Sequence, residues 1–265
     1  MASNKTELEG KVVLVLGGAG VVGSGAVYQL LRGGATVVVP SRSQARLDTL
    51  QAWLTHHLPG GKQQRGKLVC IHDDAGTKEG LVRVLERVKG IDEADGVDHV
   101  LASLGSWSNA GPLVERSVEE FRREMRDSVE THFVALSTLL PILGDKAGSS
   151  YTIITDVLGE ALMVPGTGLV TVGSSAVFGL STVARAEHQD RAVRVNELRI
   201  GVYVKKQEDL GSAPTLPGII EASHLQIGVV AAGIMTCPDL SGQIVRIDSY
   251  NFHQQLARFQ DHNQV

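Results

Sequence analysis

The chain has 265 residues, with 25 Lys+Arg against 29 Asp+Glu and a formal charge of −4 with histidine neutral, which excludes a strongly basic nucleic-acid binder. Its 43% hydrophobic content supports a large core and excludes disorder as the dominant state. The two cysteines, Cys70 and Cys237, lack any metal-ligand spacing, so neither a disulfide framework nor a zinc knuckle is expected.

Residues 1–10 are polar, carry no apolar run of a signal peptide, and read as a flexible tail. No segment offers about 18 uninterrupted apolar residues, so no membrane partner is expected and the chain reads as soluble and cytoplasmic. A strand over Lys11–Leu16 passes through a glycine-rich turn into a helix over Val21–Leu31, and a second strand, Thr36–Val39, ends at Pro40. Helices follow over Gln44–His57 and Lys78–Val88, separated by the turn Pro59-Gly60-Gly61 and a strand over Lys67–Ile71. Next come a strand over Val97–Ser103, a long helix over Val118–Leu143, a strand over Tyr151–Thr155 and a helix over Leu169–His188. Val193–Tyr203, Leu225–Met235 and Gln243–Ile247 complete a strand, helix, strand ending. The chain is mostly polar after Leu256, so about 257–265 is expected to be flexible or to dock on a neighbouring subunit. Short apolar runs alternating with helical segments predict an α/β fold with strands buried on both faces. The expected architecture is a Rossmann-type doubly wound parallel sheet, a three-layer sandwich, and the lack of repeats or linkers leads to the expectation of a single domain over 1–265.

Gly17, Gly20 and Gly23 fall between the first strand and its helix. There they let the backbone at Val21 and Val22 approach a pyrophosphate lying on the helix N-terminus. The alternative is that they only permit tight strand-to-helix packing. At the end of the second strand stand Ser41 and Arg42, with no Asp or Glu to accept from a ribose 2′-hydroxyl. Arg42 suits a 2′-phosphate, which favours NADP(H) over NAD(H), unless it merely caps a surface turn. After the third strand, Asp73 and Asp74 offer a carboxylate to the adenine amino group or form a solvated loop pair. With His72 they splay to different sides, so no metal site is expected.

The glycine turn, Ala102-Ser103-Leu104-Gly105, Leu139-Leu140-Pro141, Arg194-Val195-Asn196 and Gly242–Asp248 together resemble the short-chain dehydrogenase/reductase family over nearly the whole chain. The resemblance implies an NAD(P)-binding oxidoreductase with Ser103, Leu104 and Gly105 beside the cofactor and Thr155, Gly201 and Tyr203 towards its nicotinamide end. The family uses a serine, a Tyr-x-x-x-Lys pair and an asparagine. The alignment puts Asp156 at the serine, Val170 at the tyrosine, Ser174 at the lysine and Ser128 at the asparagine. No other Tyr-x-x-x-Lys exists, because Tyr28, Tyr151, Tyr203 and Tyr250 are followed four residues on by Arg32, Thr155, Gln207 and Gln254. The resemblance therefore implies a retained cofactor pocket with its catalytic tetrad replaced.

Asp156, at a strand C-terminus and partly desolvated, is the candidate acid or base. Ser128 and His132 lie four apart on one helix, which brings His132 within reach of the same pocket. Ser103, Thr155 and Ser174 are the candidate hydrogen-bond partners. The competing reading makes His132 a core residue and Asp156 a turn cap. Trp107 reads as a pocket-mouth or loop-packing aromatic, the run Glu115–Arg126 as a solvated helix face, and the histidines at 56, 57, 188, 224, 253 and 262 as surface residues. The expected function is an atypical NADP(H)-dependent oxidoreductase on a small-molecule carbonyl, alcohol or imine. An iminium, already cationic, needs little acid help, and Asp156 would stabilise its charge. Two alternatives stay open, a catalytically inactive NADP(H)-binding sensor or scaffold and a non-redox cyclase or lyase. A homodimer or homotetramer through the long helices is expected.

Overall fold

The computed structural model describes residues 7–58, 66–91, 96–105, 107–212 and 218–263, with side chains to residue 260. β1 (Val12–Leu16) is buried at every position, as an apolar run without alternation requires of a central strand. Around it lie β2 (Thr36–Ser41), β3 (Lys67–His72), β4 (His99–Ala102), β5 (Ser150–Asp156) and β6 (Arg194–Gly201). The short β7 (Tyr203–Lys205) and β8 (Glu221–Ser223) pair with each other, and β9 (Ile244–Asp248) closes the main sheet. Its order is β3-β2-β1-β4-β5-β6-β9 with all neighbours parallel. The winding direction reverses between β1 and β4, so a crevice opens beyond the carboxyl ends of these strands.

The helices are α1 (Val21–Arg32), α2 (Gln44–His57), α3 (Lys78–Lys89), α4 (Val118–Glu124), α5 (Thr131–Leu143), α6 (Gly168–Glu187), α7 (His224–Thr236) and α8 (Phe252–Asn263). Because strand side chains alternate faces, Val13 and Val15 join a core with Leu30, Val37 and Ile227, while Leu14 and Leu16 join another with Leu81 and Leu139. The three layers follow from these two cores. By length and composition α6 could also cross a membrane, but here Val170, Val177, Ser181 and Ala184 are buried in the fold.

Five local readings are corrected. The helix expected over Val118–Leu143 is interrupted by a π-helical turn, Met125–Glu130, which shifts the face presented by everything before it. The strand expected over Val193–Tyr203 stops at Gly201, and Tyr203 pairs instead with Glu221. The tail expected from about 257 forms most of α8, where Phe252, Leu256 and Phe259 are buried at helical spacing. Fully burying Phe259 contributes about 1.5–3 kcal/mol. Of the first ten residues, Leu8 is buried against Gly33, while residues 1–6, like 264–265, lie outside the described residues. His224 is fully buried, edge-on to Trp53, rather than a surface residue.

Candidate functional site

The turn after β1 is held tight by contacts that only glycine permits. Gly17 has φ +75°, and a Cβ there would stand 1.9 Å from the Ser103 carbonyl oxygen; one at Gly23 would stand 2.3 Å from the Gly17 oxygen. Gly23 thus sits beneath the turn, whereas Gly17, Gly20, Val21 and Val22 face a cavity of about 520 Å³. Gly20 caps α1 without any side-chain hydrogen bond, so the first-turn amides are left for an anion at the positive end of the helix dipole. A diphosphate fits this cradle, and a β-carbon at Gly17 would push the adjoining Ser103 backbone away from it.

Ser41 and Arg42 lie beyond the cavity wall, at the end of β2. Ser41 Oγ accepts from the Ser43 amide at 3.1 Å, which leaves its own proton to donate. The Arg42 side chain is 68% exposed, with Asp127 at 3.8 Å as its ion-pair partner. Asp73 and Asp74 follow β3. The Arg83 guanidinium donates to both Asp73 oxygens, at 3.1 and 2.6 Å, and this bonding holds the carboxyl below its usual range. Asp74 Oδ1 accepts from the Gly76 amide at 3.0 Å. Both carboxylates therefore shape the β3–α3 turn, and neither lines the cavity.

Ser103, Leu104 and Gly105, after β4, line the cavity beside the glycine turn, and Gly201 and Tyr203 line it from the β6 side. Asp156 lies between them at the end of β5. Its Oδ1 accepts from the Leu158 amide at 2.8 Å and its Oδ2 from the Ser174 hydroxyl at 3.0 Å. Burial pushes the Asp156 carboxyl up, the Ser174 and backbone donors oppose this, and the Glu124 charge adds to the rise. Val170, one turn before Ser174 on α6, is buried in the same wall. Trp107 stands at the rim, 55% exposed.

Glu124 was missed by sequence reasoning, which placed it in a solvated run. It is 7% exposed, lines the cavity, and accepts from the Ser128 hydroxyl at 2.7 Å. Gly173 makes room for it, since a Cβ there would lie 3.0 Å from Glu124 Oε1. The signal was present, because Glu124 precedes Ser128 by the same four residues that separate Ser128 from His132. His132 is 1% exposed, lines the cavity and has no partner at Nδ1. Burial lowers its pKa to about 4 against the opposing pull of the Leu104 carbonyl, so the ring is neutral at neutral pH.

Thr155 also lines the cavity, and its hydroxyl donates to Glu197 at 2.7 Å. Fully buried Glu197 accepts further from Ser181 at 2.6 Å and from Arg199 at 2.7 and 2.8 Å. Arg199 stacks over Phe178 at 3.7 Å and donates to Glu160 at 3.0 Å. The buried charge is therefore fully paired, and the network ties the segment after Asp156 to β6. Together the cavity offers an anion cradle at one end and two carboxylates, two serines and a neutral imidazole at the other.

Comparison with known proteins is consistent with this geometry. A model described as short chain dehydrogenase matches residues 11–207. The chain is 28% identical over 215 residues to the short-chain dehydrogenase/reductase iacG of Pestalotiopsis fici, covering 80% of this chain and 82% of that protein. It is 28% identical over 206 residues to dehydrogenase/reductase SDR family member 4 of Sus scrofa, covering 76% and 70%. Among solved structures, a blue fluorescent protein from a metagenomic library, in complex with NADPH, superposes with TM-score 0.71 at 21% identity over 92% of this chain and 98% of that one. A Haemophilus influenza chain with bound NAD superposes with TM-score 0.77 at 12% identity over 94% and 97%.

Proposed function

The chain belongs to the short-chain dehydrogenase/reductase family of oxidoreductases, and from that premise we propose that it is NADP(H)-dependent and acts on a small organic carbonyl, alcohol or imine without a tyrosine–lysine pair. The observation that carries this is the uncapped start of α1 opening into the same cavity as Asp156, with exposed Arg42 beyond it. When bound, NADPH supplies a hydride to an electrophilic carbon.

The amides of the α1 first turn bind the diphosphate, and Arg42 with the Ser41 hydroxyl receives the 2′-phosphate. Gly201 and Tyr203 flank the nicotinamide end. Ser174 and the Leu158 amide fix the orientation of Asp156, and its raised pKa helps it hold a proton at a substrate oxygen or nitrogen. His132, neutral and unpartnered at Nδ1, accepts or donates a second proton nearby, and Ser128 acts through Glu124. Val170 moves no proton, so this chemistry falls to the carboxyl and the imidazole.

The test is loss of NADPH absorbance with a panel of aldehydes, ketones and imines. Consumption with at least one of them, slowed by Asp156→Asn without a change in NADPH affinity, is the expected result. NADPH binding with no consumption across the panel overturns the catalytic part in favour of a nucleotide-binding sensor. Turnover without nucleotide overturns it in favour of non-redox chemistry. We further propose a soluble cytoplasmic homodimer or homotetramer formed through the long helices, where Phe121, Phe133 and Val183 are 43%, 57% and 53% exposed. Sedimentation at the 28.2 kDa of a monomer would contradict this.

A further inference from the structure

Two carboxylates meet at one end of the cavity, and no lysine or arginine lies among its lining residues. Gly173 and Ser174 bring them side by side on α6: the first leaves room for Glu124, the second donates to Asp156 Oδ2. Glu124 is bonded through Oε1 to Ser128, and its Oε2 has no partner among the described residues. The nearby arginine of the β6 network, Arg199, is turned towards Glu197 and Glu160. A desolvated carboxylate without a cation is costly, and a ligand that brings the charge recovers the cost.

A second observation points the same way. His132, 1% exposed, forms part of the same wall with Nδ1 unpartnered, and a buried polar atom left without a bond is rare unless a ligand or water completes it. Apolar side chains, among them Leu158, Met163 and Val170, make up much of the remaining wall. Its approach is apolar as well. Trp107, 55% exposed, stands at the rim on a segment whose Ala110 amide donates to the Gly166 carbonyl and whose Asn109 side chain donates to the Pro165 carbonyl.

We infer that the cavity takes an organic cation, a protonated amine or an iminium, with its nitrogen at Glu124 and Asp156 and its apolar body against Met163, Val170 and Trp107. The inference rests on reading this cavity as the substrate chamber and names the substrate class. Glu124 and Asp156 supply the counter-charge, the Trp107 ring offers a face for a cation at the entrance, and His132 bonds a polar hydrogen on the ligand. A neutral ligand of the same shape leaves both carboxylates uncompensated.

The test is calorimetric titration of benzyltrimethylammonium, a permanent cation with an apolar body, and of benzyl alcohol as the neutral control, into the full chain with and without NADPH. The cation is expected to bind at least tenfold more tightly than the alcohol. Glu124→Gln and Asp156→Asn are each expected to weaken it at least fivefold while thermal melts show folded protein. Equal affinity of the wild type for cation and alcohol overturns the inference whatever the variants do, as does undiminished cation binding by both folded variants. A separate NADPH titration distinguishes the underlying reading: cation binding without NADPH binding removes the cofactor assignment and leaves this site standing, whereas NADPH binding without cation selectivity removes only this site.

Discussion

Replacing Arg42 with alanine tests where the adenosine end of the nucleotide is read. In the free protein the guanidinium is 68% exposed and its ion pair with Asp127 spans 3.8 Å, so little is lost on removing it, as exposed pairs are worth about 0–1 kcal/mol. Against a phosphate the same group makes charge-assisted hydrogen bonds worth about 1.5–3 kcal/mol. Its exposure and salt screening place the value at the lower end, about 1.5 kcal/mol, or roughly tenfold in affinity. Calorimetric titration of Arg42→Ala at low salt should therefore show NADPH binding weakened about tenfold and NADH binding changed less than about twofold, with a smaller NADPH effect as salt rises. The melting temperature should not move. Equal weakening of both nucleotides, or none for NADPH, refutes the assignment of the 2′-phosphate to this side chain.

Burial raises the Asp156 carboxyl in the folded chain, with Glu124 adding to the rise and Ser174 and the Leu158 and Gly159 amides opposing it. The native state thus holds the proton longer than the unfolded chain, and stability falls as pH rises through the folded value. Asp156→Asn should melt higher than wild type at neutral pH, with the gap narrowing as pH falls towards about 4, the ordinary aspartate value; a lower melting temperature at neutral pH contradicts this. Glu197→Ala leaves Arg199, Thr155 and Ser181 without their shared acceptor and should cost about 3–5 kcal/mol in urea unfolding. A cost below about 1 kcal/mol would show that the network contributes little to stability. Phe259→Ala should cost about 3–5 kcal/mol by the same measurement, because the ring is fully buried against Gly233; an unchanged midpoint would mean that α8 is not docked.

The sheet was legible where burial leaves its simplest mark. β1 and the Val37–Val39 core of β2 are apolar runs, the composition that strands buried on both faces favour. The glycine turn was legible for a related reason, since Gly17 and Gly23 stand where no β-carbon fits. What escaped was chemistry set by tertiary context. Glu124 lies in a run of alternating charges, a pattern shared by solvated helices, and only the packing of α4 against Gly173 distinguishes it from its exposed neighbours. The π turn at Met125–Glu130 leaves no mark in hydrophobic spacing. Glu197 and Arg199 hide within a strand whose family resemblance drew attention to Arg194-Val195-Asn196 instead, although two ionisable residues on a buried strand already required partners. Phe252, Leu256 and Phe259 do recur at helical spacing, a signal outweighed by the polar residues around them.

That the uncapped start of α1 holds the diphosphate of NADPH is tested most directly by hydrogen exchange of the folded chain with and without saturating NADPH, read by mass spectrometry over residues 17–24 and 101–105. Slowed exchange in both segments is the predicted result. Unchanged exchange in residues 17–24 under saturating nucleotide would contradict it.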